Sequence, residues 1–349
     1  MPANHTISEF LNPPDIESQV IIDVRSPIEF AQGHIPGAVN VPLFDDDQRA
    51  EIGTLYRKAG RQEAILRALE LTGPRMRSIS ESVLELNRSG VIHVHCWRGG
   101  MRSRSVAWLL EQVDLDVVVL NGGYKSFRRH VLESFKLPLP LVVLSGLTGA
   151  GKTKQLQLLA AEGQQVVDLE ALANHRGSAF GNIGLAPQPT VEHFENQLFA
   201  ELHQLDLSKP IWVEDESRHI GSAQLPHHFF EQLRNAPALF MEVDRPHRRA
   251  MIDDEYGNLP QDELIASIRR VTKRMGGQNV KAAVEAIESN RMPDAIDLLL
   301  DYYDKLYLAN KSKMSRQVFI DVPVTNPLSA ETTSKLISLA SQVDITCAT

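Results

Sequence analysis

The feature that most constrains the fold is a strand, loop and helix segment near the middle of the chain. Residues 141–145 (Leu-Val-Val-Leu-Ser) form an apolar run, residues 146–153 read Gly-Leu-Thr-Gly-Ala-Gly-Lys-Thr, and a helical pattern follows at 155–160. This is a P-loop in the setting that it requires. Its backbone amides surround phosphate oxygens, its lysine supplies a positive charge and its threonine hydroxyl can hold Mg²⁺. The predicted phosphate-binding residues are Gly146, Gly149, Gly151, Lys152 and Thr153, and Thr153 is the candidate Mg²⁺ ligand.

Acidic residues follow two further strand-like runs in this half of the chain. Asp168 follows Val-Val at 166–167, and residues 214–216 (Glu-Asp-Glu) follow the run at 211–213. In a standard topology both groups reach the sheet edge near the P-loop. One of them is then expected to assist a metal or to orient a substrate, although solvated acids at strand ends explain each of them individually as well.

Basic residues form two further groups that could contact phosphates. Arg245, Arg248 and Arg249 follow the strand-like run 239–244 and resemble the arginines of a kinase lid, with nucleic acid or solvent as alternatives. Residues 261–311 have a helical pattern with a cationic run that is either a solvated face or a footprint for a phosphate backbone. The candidate contacts with a substrate or nucleic acid are Arg176 (in the glycine-rich segment 176–181), Arg245, Arg248, Arg249, Arg269, Arg270, Lys273 and Arg274.

A single cysteine stands in a short loop between a strand and a helix in the first half of the chain. Residues 91–94 form an apolar run, and 95–103 read His-Cys-Trp-Arg-Gly-Gly-Met-Arg-Ser. Inward-pointing backbone N–H groups, a helix N-terminus and the cations Arg98 and Arg102 all favour a thiolate. Cys96 is therefore the candidate nucleophile or sulfur carrier, in preference to a buried and inert cysteine.

Strands alternate with helices in both halves of the chain, which predicts an α/β fold. In the first half, apolar runs at 20–24, 39–41, 91–94 and 117–120 are separated by helical patterns, the longest at 45–90. Such alternation predicts a mostly parallel sheet covered on both faces, with the cysteine loop at the carboxyl end of a central strand. The segment 136–140 (Lys-Leu-Pro-Leu-Pro) is the predicted linker, so the predicted domains are 1–135 and 141–349.

Composition narrows the class of protein. The chain has 349 residues and a net charge of −8, which argues against uniform coating by nucleic acid but not against local basic patches. Cys96 and Cys347 are its two cysteines, so no disulfide framework is expected and a reducing cytoplasm is the expected setting. Cys347 is expected to be incidental. No apolar run approaches the ~20 residues that span a bilayer, so no membrane association is expected.

Residues 15–132 resemble a rhodanese domain. The resemblance rests on Asp-Val-Arg at 23–25, Gly-His-Ile-Pro-Gly-Ala at 33–38 and one loop cysteine, in that order. The usual rhodanese loop places its arginine one position closer to the cysteine. Here the spacing from Cys96 to Arg102 also matches the signature of cysteine phosphatases, whose thiolate and arginine cradle a phosphate. Asp23 and the acids at 45–47 are candidate general acids for that chemistry, although we expect Asp23 to be a buried strand end.

A rhodanese-like half followed by a P-loop half resembles the bacterial tRNA 2-selenouridine synthase family. The motifs that carry this resemblance are residues 95–103, residues 146–153 and His-Arg-Gly-Ser-Ala-Phe-Gly at 175–181. The resemblance implies that selenium replaces the sulfur of wobble 2-thiouridine in tRNA. It implies selenophosphate as the selenium donor and geranyl diphosphate as the donor for an S-geranyl intermediate. A selenophosphate-producing enzyme is a further candidate partner, and a monomer is expected.

The two motifs divide this chemistry between them. A P-loop suits a diphosphate as well as ATP, because its amides recognise phosphate oxygens and not adenine. We therefore expect residues 146–153 to hold geranyl diphosphate, with Mg²⁺ left open. Cys96 would accept selenium as a perselenide or assist its delivery, while Arg98 and Arg102 hold the phosphate of the donor. Cys96→Ser should then abolish selenation and spare geranylation, and Lys152→Ala should chiefly remove geranyl transfer.

Two other classes of enzyme stay open at this point. A P-loop kinase with a regulatory rhodanese module would turn over ATP without tRNA. A cysteine phosphatase would hydrolyse a generic aryl phosphate in a reaction that depends on Cys96. A non-catalytic sulfur-relay adaptor is disfavoured by the intact P-loop.

Overall fold

The computed structural model describes residues 3–11, 20–86, 90–257, 259–311, 316 and 318–343, with the backbone alone at 308–311. The chain divides into two compact units, Met1–Ser134 and Phe135–Thr349. Cys347 lies outside the described residues.

The first unit is built around a five-stranded parallel sheet. Its strands are β1 (Ala3–His5), β2 (Val20–Asp23), β3 (Val39–Asn40), β4 (Ile92–His95) and β5 (Val117–Leu120), in the order β1-β5-β4-β2-β3. Its helices are α1 (Ile7–Leu11), α2 (Pro27–Gln32), α3 (Asp46–Lys58), α4 (Arg61–Thr72), α5 (Met76–Leu86), α6 (Met101–Glu111) and α7 (Gly123–Ser134), with a 3-10 turn at Gly73–Arg75.

The central strand of this sheet leads directly into the cysteine loop. All four residues of β4 and all four of β5 are buried, as parallel strands covered on both faces require. The core against them is formed by apolar side chains of the sheet, α5 and α6, among them Ile22, Val83, Val94, Val106 and Leu110. Because β4 is central, Cys96 is held at the carboxyl edge of the sheet, where α/β proteins bind ligands.

The second unit contains another five-stranded parallel sheet. Its strands are β6 (Leu141–Gly146), β7 (Gln165–Val167), β8 (Ile211–Glu214), β11 (Ala238–Val243) and β12 (Phe319–Val324), in the order β12-β11-β6-β8-β7; β9 (His219–Ile220) and β10 (Ala223–Gln224) form a separate antiparallel pair. Its helices are α8 (Lys152–Ala161), α9 (Leu169–Leu172), α10 (Val191–His203), α11 (His227–Asn235), α12 (Arg245–Tyr256), α13 (Gln261–Arg270), α14 (Thr272–Met275), α15 (Gly277–Glu288), α16 (Met292–Lys311) and α17 (Ala330–Gln342).

Two apolar clusters of the second unit position the candidate site residues. One packs the central strands β6 and β11 against α8 and α17, and it fixes the P-loop at the carboxyl end of the fully buried strand β6. The other lies among α13, α14, α15 and α16, and includes Phe180 and Ile183 from the loop after α9. These observations confirm the predicted α/β fold: an N-terminal parallel sheet, then a P-loop α/β domain with a helical C-terminal part.

The proline-containing segment between the two halves is fixed to the second unit. The Gln232 side-chain amide on α11 donates to the carbonyl oxygens of Phe135 and Leu137 at 2.9 and 3.1 Å, and its oxygen accepts from Leu139 N at 2.8 Å. Residues 135–139 are therefore held by side-chain hydrogen bonds. Within the described ranges, no helix is both long and apolar enough to cross a lipid bilayer.

Candidate functional site

The cysteine loop is held in shape by close backbone packing. Cys96 is 3% exposed, and its carbonyl oxygen accepts a hydrogen bond from Tyr124 N, at the start of α7, at 2.8 Å. Gly99 and Gly123 both have positive φ angles. A Cβ atom on Gly99 would lie 2.5 Å from Leu120 O, and one on Gly123 would lie 2.3 Å from Cys96 O. Glycine is therefore required at both positions for the two chain segments to approach.

The thiol of Cys96 has a polar side chain beside it. Its Sγ atom lies 3.2 Å from the Oγ of Ser103, in the first turn of α6. The Ser103 hydroxyl is also 3.2 Å from the carbonyl oxygen of Gly100. The hydroxyl donates to Gly100 O here, and either atom of its contact with Cys96 can be the donor. The hydroxyl can therefore turn to donate to a thiolate on Cys96, and such a bond stabilises the charge.

The two arginines of the loop differ in their surroundings. Both terminal nitrogens of Arg102 donate to the Glu29 carboxylate of α2, at 2.6 and 3.2 Å, and the Arg102 side chain is 16% exposed. This pairing fixes the plane of the guanidinium beside the loop. Arg98 is exposed, and within the described residues it has no hydrogen bond or ion pair. Arg98 is therefore free to contact an anion.

The candidate general acids of this half are engaged in structural contacts. Asp23 is fully buried and pairs with Arg25 at 2.6 Å. Burial alone would raise the Asp23 pKa, but the charge of His95 when that ring is protonated at acidic pH, and the hydrogen bonds and charge of Arg25, outweigh burial, so the pKa lies below its usual value. Burial also lowers the pKa of His95, which keeps that ring neutral near pH 7, so Arg25 is the cation that holds Asp23 ionised. Asp45 caps α3 by accepting from Gln48 N at 2.8 Å.

The P-loop surrounds a space that phosphate groups can fill. Gly149 and Gly151 have positive φ angles, and a Cβ atom on Gly149 would lie 2.6 Å from Arg248 O. Lys152 Nζ donates to Gly146 O at 3.0 Å, which folds the lysine back over the loop. The loop opens into a cavity of about 930 Å³ lined by residues of the P-loop, α9, α12 and the segment 174–178. The predicted P-loop residues are therefore together at one wall of this cavity.

A group of buried carboxyls lies beside the P-loop, and no sequence pattern points to its central member, Glu170. Glu170 Oε2 accepts from Thr153 Oγ1 at 3.2 Å. Burial, reinforced by the nearby Glu216, raises the pKa of Glu170 to about 8. Burial likewise raises the pKa of Glu216 and, more strongly, that of Glu214. Glu170 is therefore largely neutral near pH 7, and the raised pKa values of Glu214 and Glu216 favour the neutral form of those carboxyls as well.

The glycine-rich segment 176–181 closes over these carboxyls. Gly177 has a positive φ angle, and a Cβ atom there would lie 2.3 Å from Glu170 Oε1 and 2.6 Å from Glu216 Oε1. Arg176 donates to Ile183 O at 2.8 Å and pairs with Glu255 at 3.3 Å. Residues 176–178 of this segment therefore form part of the cavity wall.

The other two acids singled out in the sequence have structural contacts. Asp168 accepts from Ala171 N at 2.8 Å and so caps α9. Asp215 forms a buried ion pair with Arg316 and accepts hydrogen bonds from Ser145 and Tyr307. Among the described residues, no group of three or more His, Cys, Asp or Glu side chains could hold a metal ion.

The three arginines predicted to form a phosphate-binding lid are paired with acidic residues of α16. Arg248 is 4% exposed and donates to both carboxylate oxygens of Asp304, at 2.7 and 2.8 Å, and to Thr148 O of the P-loop at 3.3 Å. Contact of Arg248 with a substrate or tRNA stays a prediction; in this structure the guanidinium is buried and bonded on both arms. Arg245 and Arg249 pair with Asp297 at 3.3 and 3.1 Å.

The basic run of α13 and α14 is open to solvent. Arg269, Arg270, Lys273 and Arg274 are all exposed, and Arg270 donates to Ser267 Oγ at 3.1 Å. In the described part of the chain the other three have no ion pair. Their contact with tRNA stays a prediction, and the structure leaves their charges available for it.

Known proteins resemble both units of this chain. The family model described as the tRNA 2-selenouridine synthase AAA domain matches residues 139–326, and the Rhodanese-like domain model matches residues 6–130. The tRNA 2-selenouridine synthase of Shewanella denitrificans is 33% identical over 341 residues, covering 87% of this chain and 91% of the relative. Proteins with the same name from Bdellovibrio bacteriovorus and Nitrosomonas europaea are 41% and 38% identical over 68% of this chain, covering 64% and 63% of the relatives. The chain belongs to the tRNA 2-selenouridine synthase family.

Proposed function

We propose that this protein modifies tRNA by replacing the sulfur of wobble 2-thiouridine with selenium, in two steps through an S-geranyl intermediate. Geranyl diphosphate and selenophosphate are the two donors. The observation that supports this proposal is that one chain of the family holds both a cysteine loop with two arginines and an intact P-loop on a large cavity. Each of these sites is suited to a phosphate-containing donor.

The first step is geranyl transfer in the P-loop cavity. The thiouridine sulfur attacks C1 of the geranyl group, the C–S bond forms, the C–O bond to the diphosphate breaks, and the base loses its N3 proton. Negative charge grows on the departing diphosphate, where Lys152 and the P-loop amides stabilise it. A cavity of about 930 Å³ is at the upper end of ligand pockets, so it has room for a donor and a nucleobase.

A magnesium ion fits this step without a dedicated metal cage. Mg²⁺ is usually bound by one or two protein oxygens together with substrate phosphates. Thr153 Oγ1 and Glu170 Oε2, 3.2 Å apart, are the residues that would hold it, and Glu170 would lose its proton when the ion binds. When bound, the ion would neutralise charge on the diphosphate.

The second step is displacement of the geranyl thiol by selenium. S-Geranyl uridine, selenophosphate and water give 2-selenouridine, geranyl thiol and phosphate. Selenium enters and leaves at the oxidation level of selenide, so no oxidant or reductant is consumed. Alkylation assists this step because the sulfur then departs as a neutral thiol.

Within this scheme, Cys96 acts on the phosphorus of selenophosphate. Its thiolate attacks phosphorus and selenide leaves towards the base; water then releases phosphate from the sulfur. A perselenide on Cys96 would instead require selenium to be oxidised and later reduced, which the overall reaction does not supply. The phosphoryl group would be held by Arg98 and Arg102, at the spacing that cysteine phosphatases use.

The test separates the two steps on purified full-length protein. Mass spectrometry of tRNA nucleosides should show S-geranyl thiouridine and no selenouridine with Cys96→Ser, and neither product with Lys152→Ala. When tRNA that already carries S-geranyl thiouridine is supplied, Lys152→Ala should regain selenation and Cys96→Ser should not. Cys347→Ser and Lys209→Ala, an exposed lysine paired with Asp206, are the controls and should behave as the wild type.

Several outcomes would contradict the proposal. Loss of both steps in a folded Cys96→Ser protein would refute the division between the two sites. ATP hydrolysis without tRNA, in place of geranyl transfer, would indicate a kinase. Failure to detect a phosphoryl adduct on Cys96 after rapid acid quench, while selenation proceeds, would refute attack on phosphorus.

A further inference from the structure

A second, smaller pocket adjoins the P-loop cavity in the helical part of the second unit. Five residues line both spaces, so the two share a common wall: Thr148, Ser178, Ile252, Tyr256 and Tyr303. The remaining residues of the small pocket are Phe180, Leu264, Ile268, Ile287, Met292, Ile296 and Leu299. The two spaces therefore adjoin each other along these five residues.

The lining of the small pocket is almost entirely apolar. Leu264 is 3% exposed and Ile268 is fully buried, and both belong to the core shared by α13, α15 and α16. The polar ends of its two tyrosines are already engaged, because Tyr303 Oη accepts from Ala179 N at 3.2 Å and Tyr256 Oη lies 3.3 Å from Ser178 Oγ. The pocket therefore offers mainly van der Waals contact, and its polar side chains, Thr148, Ser178 and the two tyrosines, are few against eight apolar ones.

The size of the pocket limits what enters it. Its volume is about 40 Å³, and a water-sized group needs roughly 10–15 Å³ on this scale. The pocket therefore takes about three or four such groups before its walls move. That is close to the end of a branched five-carbon chain and well below an aromatic base.

We propose that this pocket binds the terminal isoprene unit of the geranyl chain while the P-loop binds the diphosphate. The assignment rests on the proposed function, and adds to it the place of the hydrocarbon and the basis of chain-length selection. The first isoprene unit lies along the shared wall of Ile252, Tyr256 and Tyr303. A five-carbon donor is too short to fill the pocket, and a fifteen-carbon donor is too long for it.

The first experiment measures the affinity of the full-length wild-type protein for four ligands by calorimetry. The ligands are inorganic pyrophosphate, dimethylallyl diphosphate, geranyl diphosphate and farnesyl diphosphate. Each buried methylene favours binding several-fold, partly offset by the ordering of the chain. We expect geranyl diphosphate to bind on the order of 100-fold more tightly than dimethylallyl diphosphate, and farnesyl diphosphate to bind more weakly than geranyl.

The second experiment changes the pocket in opposite directions. Leu264→Phe narrows it and should reduce the preference for geranyl over dimethylallyl diphosphate at least tenfold. Ile268→Ala enlarges it and should raise the affinity for farnesyl relative to geranyl diphosphate. Met275→Ala is the matched control, because Met275 lies in the same helical core but does not line the pocket. Thermal unfolding of each variant shows whether it is folded.

The outcomes distinguish this inference from the proposed function. In one outcome, binding of geranyl diphosphate depends on Lys152, but Leu264→Phe and Ile268→Ala have the same chain-length preference as Met275→Ala. The pocket assignment is then wrong and the proposed function stands. If no prenyl diphosphate binds better than inorganic pyrophosphate, both are wrong. An altered preference with unaltered pyrophosphate affinity supports the pocket.

Discussion

Ser103 places a hydroxyl 3.2 Å from the sulfur that performs the proposed chemistry. A hydrogen bond to a charged group contributes about 1.5–3 kcal/mol, or roughly a tenfold to hundredfold effect. Ser103→Ala should therefore slow alkylation of Cys96 by iodoacetamide at pH 7 by about tenfold, and slow selenation to a similar extent. The control is Ser105→Ala, an exposed serine on the same helix. Equal alkylation rates for the two variants would show that the Ser103 contact does not stabilise the thiolate.

Glu170 makes the second unit less stable at neutral and alkaline pH. Its pKa is about 8 in the folded protein against 4.5 for an ordinary glutamate, so between these pH values the folded state binds more protons than the unfolded state. The free energy of unfolding then falls as pH rises through this window. Glu170→Gln should therefore raise the Tm most at pH 8 and little at pH 5. The corresponding gain in the free energy of unfolding at pH 8 should be about a few kcal/mol.

Thermal unfolding from pH 5 to pH 8 checks the Glu170 prediction. The control is Glu162→Gln, an exposed glutamate at the end of α8, whose Tm should follow the wild type at each pH. A Tm gain for Glu170→Gln that is the same at pH 5 and pH 8 would mean that desolvation of this carboxylate does not limit stability.

At the residue scale, local motifs could be predicted and partnerships between distant residues could not. The cysteine loop and the P-loop are visible in the sequence because every essential residue lies within nine positions of the chain. Glu29 reaches Arg102 from α2, and Glu170 reaches Thr153 from α9. The position of either glutamate in the sequence does not indicate its partner, because each pair of segments comes together only when the sheet has folded.

At the scale of elements, Arg248 of α12 links Asp304 of α16 to the P-loop. This guanidinium bridges Asp304 and Thr148 O and is 4% exposed. Arg248→Ala leaves Asp304 half-buried without its partner, which typically costs about 3–5 kcal/mol. It also removes the hydrogen bond to the Thr148 carbonyl, which helps to order the P-loop. A loop that must be ordered on binding costs free energy, so the affinity for inorganic pyrophosphate should fall about tenfold.

Denaturant unfolding and pyrophosphate calorimetry together check the Arg248 prediction. Arg249→Ala is the matched control, because its pair with Asp297 at 3.1 Å is exposed and such pairs contribute about 1 kcal/mol or less. Arg248→Lys keeps the charge but not the two-armed contact, so it should recover part of the stability and little of the affinity. If Arg248→Ala loses stability and retains full affinity, the residue supports the fold and not the loop.

Some elements were predictable and others were not, for physical reasons. Strands β4, β5 and β6 are buried on both faces and therefore appear as continuous apolar runs. Strand β1 (Ala3–His5) has three residues, two of them exposed, and joins the edge of the sheet by pairing with β5. Pairing with the neighbouring strand determines the conformation of such a strand, so its own sequence shows no hydrophobic pattern that would predict it.

Across the whole molecule, charge is distributed so that an acidic chain keeps a local cationic surface. The net charge is −8, and many of its cations are neutralised by nearby acids, as Arg245, Arg248 and Arg249 are by residues of α16. Arg269, Lys273 and Arg274 differ, because they are exposed and, within the described ranges, unpaired. A polyanion such as tRNA is attracted by that local surface and repelled by the remainder, which favours one orientation of binding.

Replacement of these three cations by alanine should therefore weaken tRNA binding and reduce its dependence on salt. Each phosphate contact contributes about 0.7–0.9 to the slope of log K against log salt concentration, so Arg269→Ala with Lys273→Ala and Arg274→Ala should lower the slope by about 2. Filter binding of tRNA over a series of salt concentrations measures both quantities. The control removes three exposed cations that are paired with acids: Arg77, Lys209 and Arg291. Both triple variants change the net charge equally, so equal losses of affinity would mean that tRNA responds to overall charge. An unchanged salt dependence in the variant of Arg269, Lys273 and Arg274 would mean that tRNA binds elsewhere.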